Sequence, residues 1–149
     1  MRLVQIQPRA NIVPISDWQT YYRDGNQFLK VACGAVSKKI VSFTPEILYN
    51  LVAMAIEKLI MAFLMKNGDL ADNHTMADLL DALERHVGKH QRLTENFAFL
   101  ASFQDICELE SYRRLDPTPA EIDRILAIGV EVQGLLAPHL QDKHELSAG

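Results

Sequence analysis

The segment 44–68, TPEILYNLVAMAIEKLIMAFLMKNG, decides the fold because it is apolar on nearly every side of a long predicted helix. Thr44 can cap the helix, and Pro45 takes the first helical position, where a missing N–H costs nothing. Its charged residues are few: Glu46, Glu57, Lys58 and Lys66. A helix that is apolar all round must be covered by neighbours on several sides. The segment therefore predicts a central helix around which the rest of the chain packs.

Four further helices are predicted around it from start and stop signals. Ser16 with Gln19, and Thr118 with Glu121, have the capping-box spacing, and Thr75 can cap a third start. The stop signals are Asn67-Gly68, Gly88, the Asp116-Pro117 pair and Pro138. Apolar residues recur at three-to-four spacing between these signals. The predicted ranges are 16–39, 75–87, 92–113 and 118–138.

The fold class follows from the absence of alternating strand patterns after residue 15. Short connections between long helices favour antiparallel neighbours, so we predict an all-α, up-and-down antiparallel bundle of about five helices over 16–140. Residues 1–15 contain Pro8 and Pro14 among β-formers and predict an extended N-terminal arm. Such an arm either lies on the body, exchanges with a partner subunit, or forms a loosely ordered leader. Residues 141–149 form a polar C-terminal tail.

Composition is that of an ordinary globular protein. The 149 residues are 48% apolar and 23% charged, and 15 Lys and Arg against 19 Asp and Glu give a net charge of −4. An acidic chain is not expected to coat nucleic acid non-specifically. The two cysteines, Cys33 and Cys107, predict buried thiols and no zinc or disulfide framework. With no signal-peptide pattern and no uncharged run of membrane length, we expect a cytoplasmic protein without cofactor or membrane contact.

Three local patterns occur in an order that resembles a known family. They are YNLVAMAIEKLI at 49–60, NHTMADLL at 73–80 and ELESYRR at 108–114, the last followed by a proline-capped helix. Together they resemble the HEPN (higher eukaryotes and prokaryotes nucleotide-binding) family over about residues 16–140. The resemblance implies an HEPN-like helical bundle, a homodimer, and a nucleotidyltransferase-type protein as a possible partner.

Many members of that family are metal-independent ribonucleases. They carry an Arg followed after four to six residues by a His, near the end of the helix that corresponds here to 92–113. This sequence has Arg113 and Arg114 at that place with no His following at that spacing. The resemblance therefore implies a domain without the ribonuclease motif at its usual position. One such spacing exists elsewhere, from Arg85 to His90, and makes these two residues weak catalytic candidates.

The segment 85–92, RHVGKHQR, has the densest positive charge in the chain. Arg85, Lys89 and Arg92 could bind an anion, although a solvated helix end is the simpler interpretation. His86 and His90 have the spacing for chelation on one helix face, but no sequence pattern supplies a third ligand. We therefore predict no metal site.

Two further groups are candidate ligand-binding residues. Glu57 is a carboxylate within an apolar helix, so it either pairs, lies at an oligomer seam or contacts a ligand. Tyr112, Arg113 and Arg114 could hold a phosphate, because arginine offers a planar fork of donors, or could pair with nearby carboxylates. His74 precedes a helix start and predicts a local hydrogen bond.

Three functions remain open at this point. We favour a non-catalytic HEPN-like binding or interaction domain. The second is a degenerate metal-independent ribonuclease of a toxin–antitoxin-like system that uses Arg85 and His90. The third is a nucleotide or small-anion pocket between helices.

Overall fold

The computed structural model describes residues 15–104 and 116–141, and these residues form five helices without a strand. The predicted all-α bundle is therefore confirmed. The predicted arm and tail lie outside the described residues except for Ile15 and Gln141, as does the predicted extension of the fourth helix to residue 113. The helices are α1 (Trp18–Ser37), α2 (Pro45–Lys66), α3 (Met76–Val87), α4 (Gln91–Gln104) and α5 (Pro119–Leu140).

Helix α2 is the core of the molecule, as its sequence predicts. The side chains of Val52, Ile56, Leu59, Ile60 and Leu64 are completely buried. Within the described residues it is the one helix long and apolar enough to cross a membrane, but 61% of its most apolar window is buried inside the bundle. That degree of burial is typical of a core helix, so its length and composition are weak evidence for a membrane span.

Two glycines allow the helices to approach α2 closely. A Cβ on Gly25 of α1 would lie 2.9 Å from Leu59 Cγ, and one on Gly129 of α5 would lie 3.0 Å from Val52 Cγ1. The first distance is shorter than real Cβ contacts show, and the second is tighter than nine in ten of them. Gly25 therefore does not interrupt α1; it sets the distance between α1 and the core.

Contacts along the helices give their relative directions. Antiparallel pairing of α1 and α2 places Trp18 beside Lys66 and Gly25 beside Leu59. Helix α4 runs antiparallel to α3, since Thr94 contacts Glu84 while Gln104 contacts the start of α3 at Met76. These pairs have the antiparallel relation expected of short connections.

The linker 67–75 does not simply reverse the chain; it returns along α2. His74, just before α3, contacts Glu57, whereas His86 near the end of α3 contacts Phe63. Helix α3 therefore runs in the same general direction as α2. Helix α5 does so too, because its Gly129 packs near Val52 and its His139 near Phe63. As a consequence, the carboxyl ends of α2, α3 and α5 meet at one end of the bundle.

Most predicted helix ends are confirmed, but two are not. The hydroxyls of Thr44, Thr75 and Thr118 accept backbone N–H bonds, and Thr118 forms the full capping box. The predicted capping box at Ser16 does not form, because Asp17 is the N-cap with φ 75° and no side-chain bond. Helix α5 also continues through Pro138 to Leu140. Pro138 has no N–H to donate to the Gly134 carbonyl, so the last turn of α5 lacks one helical hydrogen bond.

Candidate functional site

A cleft of about 330 Å³ lies where the carboxyl ends of α2, α3 and α5 meet. Each helix contributes residues from its last turn, so the fold brings together positions far apart in the sequence. The lining residues are Phe63, Lys66, Asn67, His86, Val87 and His139.

Aromatic rings form much of the cleft. The Phe63 side chain is almost fully buried, and its ring is contacted by two imidazoles at nearly right angles. The His86 ring lies 5.5 Å from it at 87°, and the His139 ring lies 5.7 Å away at 80°, measured between centroids. Both arrangements are the edge-to-face geometry that aromatic rings favour. Phe63 thus forms the base of the cleft, and the two imidazole rings are nearly perpendicular to its ring.

Lys66 ties the end of α2 to the end of α5. Its Nζ donates to the carbonyl oxygens of His139, at 3.0 Å, and Gln141, at 3.1 Å. The same ammonium lies 4.7 Å from the centroid of the Trp18 ring. A cation at a helix carboxyl end stabilises the exposed carbonyls and the negative end of the helix dipole.

Asp69 is the acidic centre beside the cleft. His86 Nε2 lies 2.9 Å and Arg85 Nη2 3.2 Å from Asp69 Oδ2, and the Leu70 N–H donates to Oδ1 at 2.8 Å. Partial burial by itself raises the pKa of Asp69, but the hydrogen bonds from His86, Leu70 and Arg85 outweigh it and hold the pKa below its usual range. Asp69 is therefore ionised at neutral pH and fixes the end of α3 against the α2–α3 linker.

The two weak catalytic candidates are held apart by different partners. Arg85 donates to Asp69 and to the Leu70 carbonyl oxygen at 3.1 Å, whereas His90 Nε2 lies 3.0 Å from the carbonyl oxygen of Val87. Between them, Gly88 ends α3 with φ 81°. No contact among residues 15–104 and 116–141 joins Arg85 to His90, so these residues are not brought together as an acid–base pair.

The predicted anion-binding set is also separated. Arg92 reaches α5, where its Nε donates to Glu131 Oε2 at 3.1 Å, and Asn96 Nδ2 donates to Glu131 Oε1 at 3.1 Å. The hydrogen bond from Arg92 lowers the pKa of Glu131, and the same bond raises the pKa of Arg92. Arg85 is bound to Asp69, and Lys89 is exposed. The structure thus uses Arg92 as a link between α4 and α5 and does not bring the three cations to one point.

Glu57 is paired, which is one of the alternatives that its position in an apolar helix left open. Its carboxylate contacts Nδ1 of His74, which is exposed, and Glu57 itself is partly buried. The neighbouring Lys58 faces α1, with its ammonium 4.7 Å from the centroid of the Tyr21 ring. The pair holds the start of α3 against α2.

The ligand-binding candidates Tyr112, Arg113 and Arg114 lie outside the described residues. Within residues 15–104 and 116–141, no three His, Cys, Asp or Glu side chains come together in a way that could hold a metal ion.

Sequence reasoning missed most residues of the cleft. Phe63 and His139 are 76 positions apart, and nothing local connects them. One signal was available: a basic or imidazole side chain occurs in the last turn of α2, α3 and α5, at Lys66, His86 and His139. That signal indicates that basic side chains offset the negative dipole at each helix end. It does not show that the three helix ends meet.

Comparisons with known proteins do not assign this cleft or the chain to a family. The sequence matches no protein-family model and no curated protein, and the fold matches no solved structure.

Proposed function

We propose that the chain is a non-catalytic binding domain of the HEPN-like type. The observation that carries this proposal is the separation of Arg85 and His90, each of which is engaged in its own intramolecular hydrogen bond. A general acid–base pair must reach one reacting group within hydrogen-bond distance. The net charge of −4 adds to the argument, since non-specific RNA binding depends on an excess of cations.

An exposed apolar surface on the first half of α2 and the turn before it supports the binding role. It consists of the apolar residues Ile40 and Val41, in the turn between α1 and α2, and Ile47 and Met54 on α2; we call it the hairpin surface. Val41 is 91% exposed, and the other three are each about 40% exposed, at 41%, 43% and 40%. Ile47 and Met54 are seven residues apart and so lie on one face of α2. Exposed apolar side chains of this kind are a common feature of protein interaction sites.

Two binding partners follow from this proposal. A second copy of the chain would use the hairpin surface to form a homodimer. The family resemblance implies a nucleotidyltransferase-type protein as the second partner. If the neighbouring reading frame encodes such a protein, its binding to this chain can be measured directly.

Incubation with RNA tests the absence of catalysis. The parent chain, Arg85→Ala and His90→Ala are incubated with labelled single-stranded RNA in the presence of a metal chelator, and cleavage is followed on gels. We expect no cleavage by any of the three proteins. Lys89→Ala is the matched control, because Lys89 lies between the two residues and is exposed. Cleavage by the parent that is abolished by Arg85→Ala and His90→Ala but kept by Lys89→Ala would establish the ribonuclease instead.

A further inference from the structure

We propose that the cleft at the carboxyl ends of α2, α3 and α5 binds a small aromatic anion, a single planar ring that bears a carboxylate or phosphate group. This site is distinct from the hairpin surface, because the two share no residue and the cleft lies at the last turn of α2. It would therefore add a small-molecule ligand to a domain that also binds a protein.

The size and the apolar part of the cleft fit a single ring. A volume of about 330 Å³ lies at the small end of the range for ligand sites, which start near about 300 Å³. Phe63 forms the base, and the His86 and His139 imidazoles stand nearly perpendicular to it beside Val87. A flat ring inserted there would contact aromatic edges and aliphatic carbons.

The charges around the cleft favour an anion. Lys66 and Arg85 carry two positive charges, and Asp69 is the carboxylate that contacts this group of side chains among the described residues. Asp69 is already bonded to both Arg85 and His86, so it is compensated within the cluster. The two carbonyls at the end of α5 that would repel an anion accept hydrogen bonds from Lys66. The described side chains around the cleft therefore leave one positive charge in excess, part of which offsets the negative dipole ends of α2, α3 and α5.

His139 is the residue most available to the ligand. It is exposed, and its ring nitrogens form no hydrogen bond with another described residue. Its only ring contact among those residues is with Phe63. An imidazole that lines a cleft beside an ammonium can donate to a carboxylate or phosphate oxygen. The ring of the ligand would then face Phe63 and Val87, and its anionic group would face Lys66 and His139.

The test uses four probes that separate the ring from the charge. Phenyl phosphate and benzoate carry both, benzyl alcohol carries the ring alone, and inorganic phosphate carries the charge alone. Binding is measured by calorimetry and by shifts of the histidine Cε1–H signals in proton NMR. We expect phenyl phosphate and benzoate to bind with dissociation constants of about 1–10 mM, as their size allows. Benzyl alcohol and inorganic phosphate are expected to bind at least about tenfold more weakly.

Variants locate the site. His139→Ala is expected to weaken phenyl phosphate binding about tenfold, the usual effect of removing one charge-assisted hydrogen bond. His90→Ala is the matched control, since His90 is an exposed histidine outside the cleft, and it should leave binding unchanged. Thermal melts check that both variants remain folded.

Several results would overturn the proposal. If inorganic phosphate binds as tightly as phenyl phosphate, the site recognises the charge and not the ring. If benzyl alcohol binds as tightly as benzoate, the site is an apolar groove that does not recognise an anion. Loss of binding in His90→Ala equal to that in His139→Ala would place the ligand elsewhere, and the absence of binding by all four probes would remove the site. None of these results affects the non-catalytic role, which the RNA experiment tests separately.

Discussion

At the scale of single residues, α1 and α2 end in the same local structure, but the residue with left-handed backbone is a lysine after α1 and a glycine after α2. After α1, the Ile40 N–H donates to the Ala35 carbonyl and the Lys39 N–H to the Val36 carbonyl, with Lys39 at φ 55°. After α2, Asp69 and Gly68 donate in the same way to Leu64 and Met65, with Gly68 at φ 71°. Both are Schellman motifs, which favour glycine at the left-handed position. Lys39 is therefore strained in left-handed backbone. Gly68 adopts the same conformation after α2 without strain, because it has no side chain.

This comparison predicts opposite effects for two exchanges. Lys39→Gly is expected to stabilise the protein by about 0.5–1 kcal/mol, since a side chain in left-handed backbone is unfavourable. Gly68→Ala should destabilise it by about 1 kcal/mol for the same reason. Urea unfolding measures both. A destabilised Lys39→Gly variant would contradict the strain argument.

Asp69 gives a prediction about acid. Since hydrogen bonds depress its pKa in the folded state, its contribution to stability is present above the unfolded pKa, about 3.9, and is lost as the pH falls through the lower folded value. The stability difference between the parent and Asp69→Asn should therefore still be present at about pH 5 and shrink below about pH 4. Urea unfolding across this range measures it.

The control for this experiment is Asp81→Asn, on the exposed face of α3. Its stability difference from the parent should be small at every pH. A difference for Asp69→Asn that stays constant down to pH 3 would show that the charge of Asp69 contributes nothing, and that its hydrogen bonds act equally well with an amide.

At the scale of helices, the two glycines of α1 differ in their surroundings: Gly25 is packed against α2, and Gly34 has open space beside it. A Cβ on Gly25 would lie 3.1 Å from the Ala55 carbonyl oxygen in addition to its contact with Leu59, whereas nothing lies within 4 Å of one on Gly34. Gly25→Ala is thus expected to destabilise the protein by about 1–3 kcal/mol, because backbone must shift. Gly34→Ala should stabilise it by about 0.5–1 kcal/mol, because alanine is the better helix former. Thermal unfolding of both variants tests the pair, and equal effects of the two would contradict the close packing of α1 on α2.

Sequence reasoning worked where a helix end depends on a few adjacent residues. The caps at Thr44, Thr75 and Thr118 could be predicted because a hydroxyl and the N–H three residues later are set by the local chain. Ser16 has an equally good local pattern, yet the preceding Ile15 N–H is bonded to the Met65 carbonyl, so a tertiary contact fixes how the chain reaches α1.

The candidate site was less predictable than the helices. The pairing of Glu57 could be anticipated from the cost of burying a charge, and His74 is its partner. The cleft could not be anticipated from the sequence, because it forms only when the linker 67–75 returns along α2. Only that path places His86 of α3 on the same side as His139 of α5, next to Phe63.

At the scale of the whole molecule, the bundle has two different ends. Helices α2, α3 and α5 point their carboxyl ends to the cleft, where their negative dipole ends add up. Basic groups at Lys66, Arg85, His86 and His139 offset them there. Ile40, Val41 and Ile47 of the hairpin surface lie toward the opposite end, and its Met54 lies near the middle of α2. A polar cleft and a separate apolar surface allow the two proposed binding functions to operate independently.

The hairpin surface leads to a prediction about assembly. If two copies pair through it, light scattering at micromolar concentration should give twice the mass of one chain, and the double variant Val41→Lys with Met54→Lys should give the mass of one chain. Charged ammonium groups in an apolar interface cannot be desolvated without a large penalty. Val130→Lys on α5 is the matched control, since Val130 is 48% exposed but lies outside the surface, and it should leave the mass unchanged. A parent chain with the mass of a monomer would remove the homodimer, and loss of the dimer in Val130→Lys would move the interface to α5.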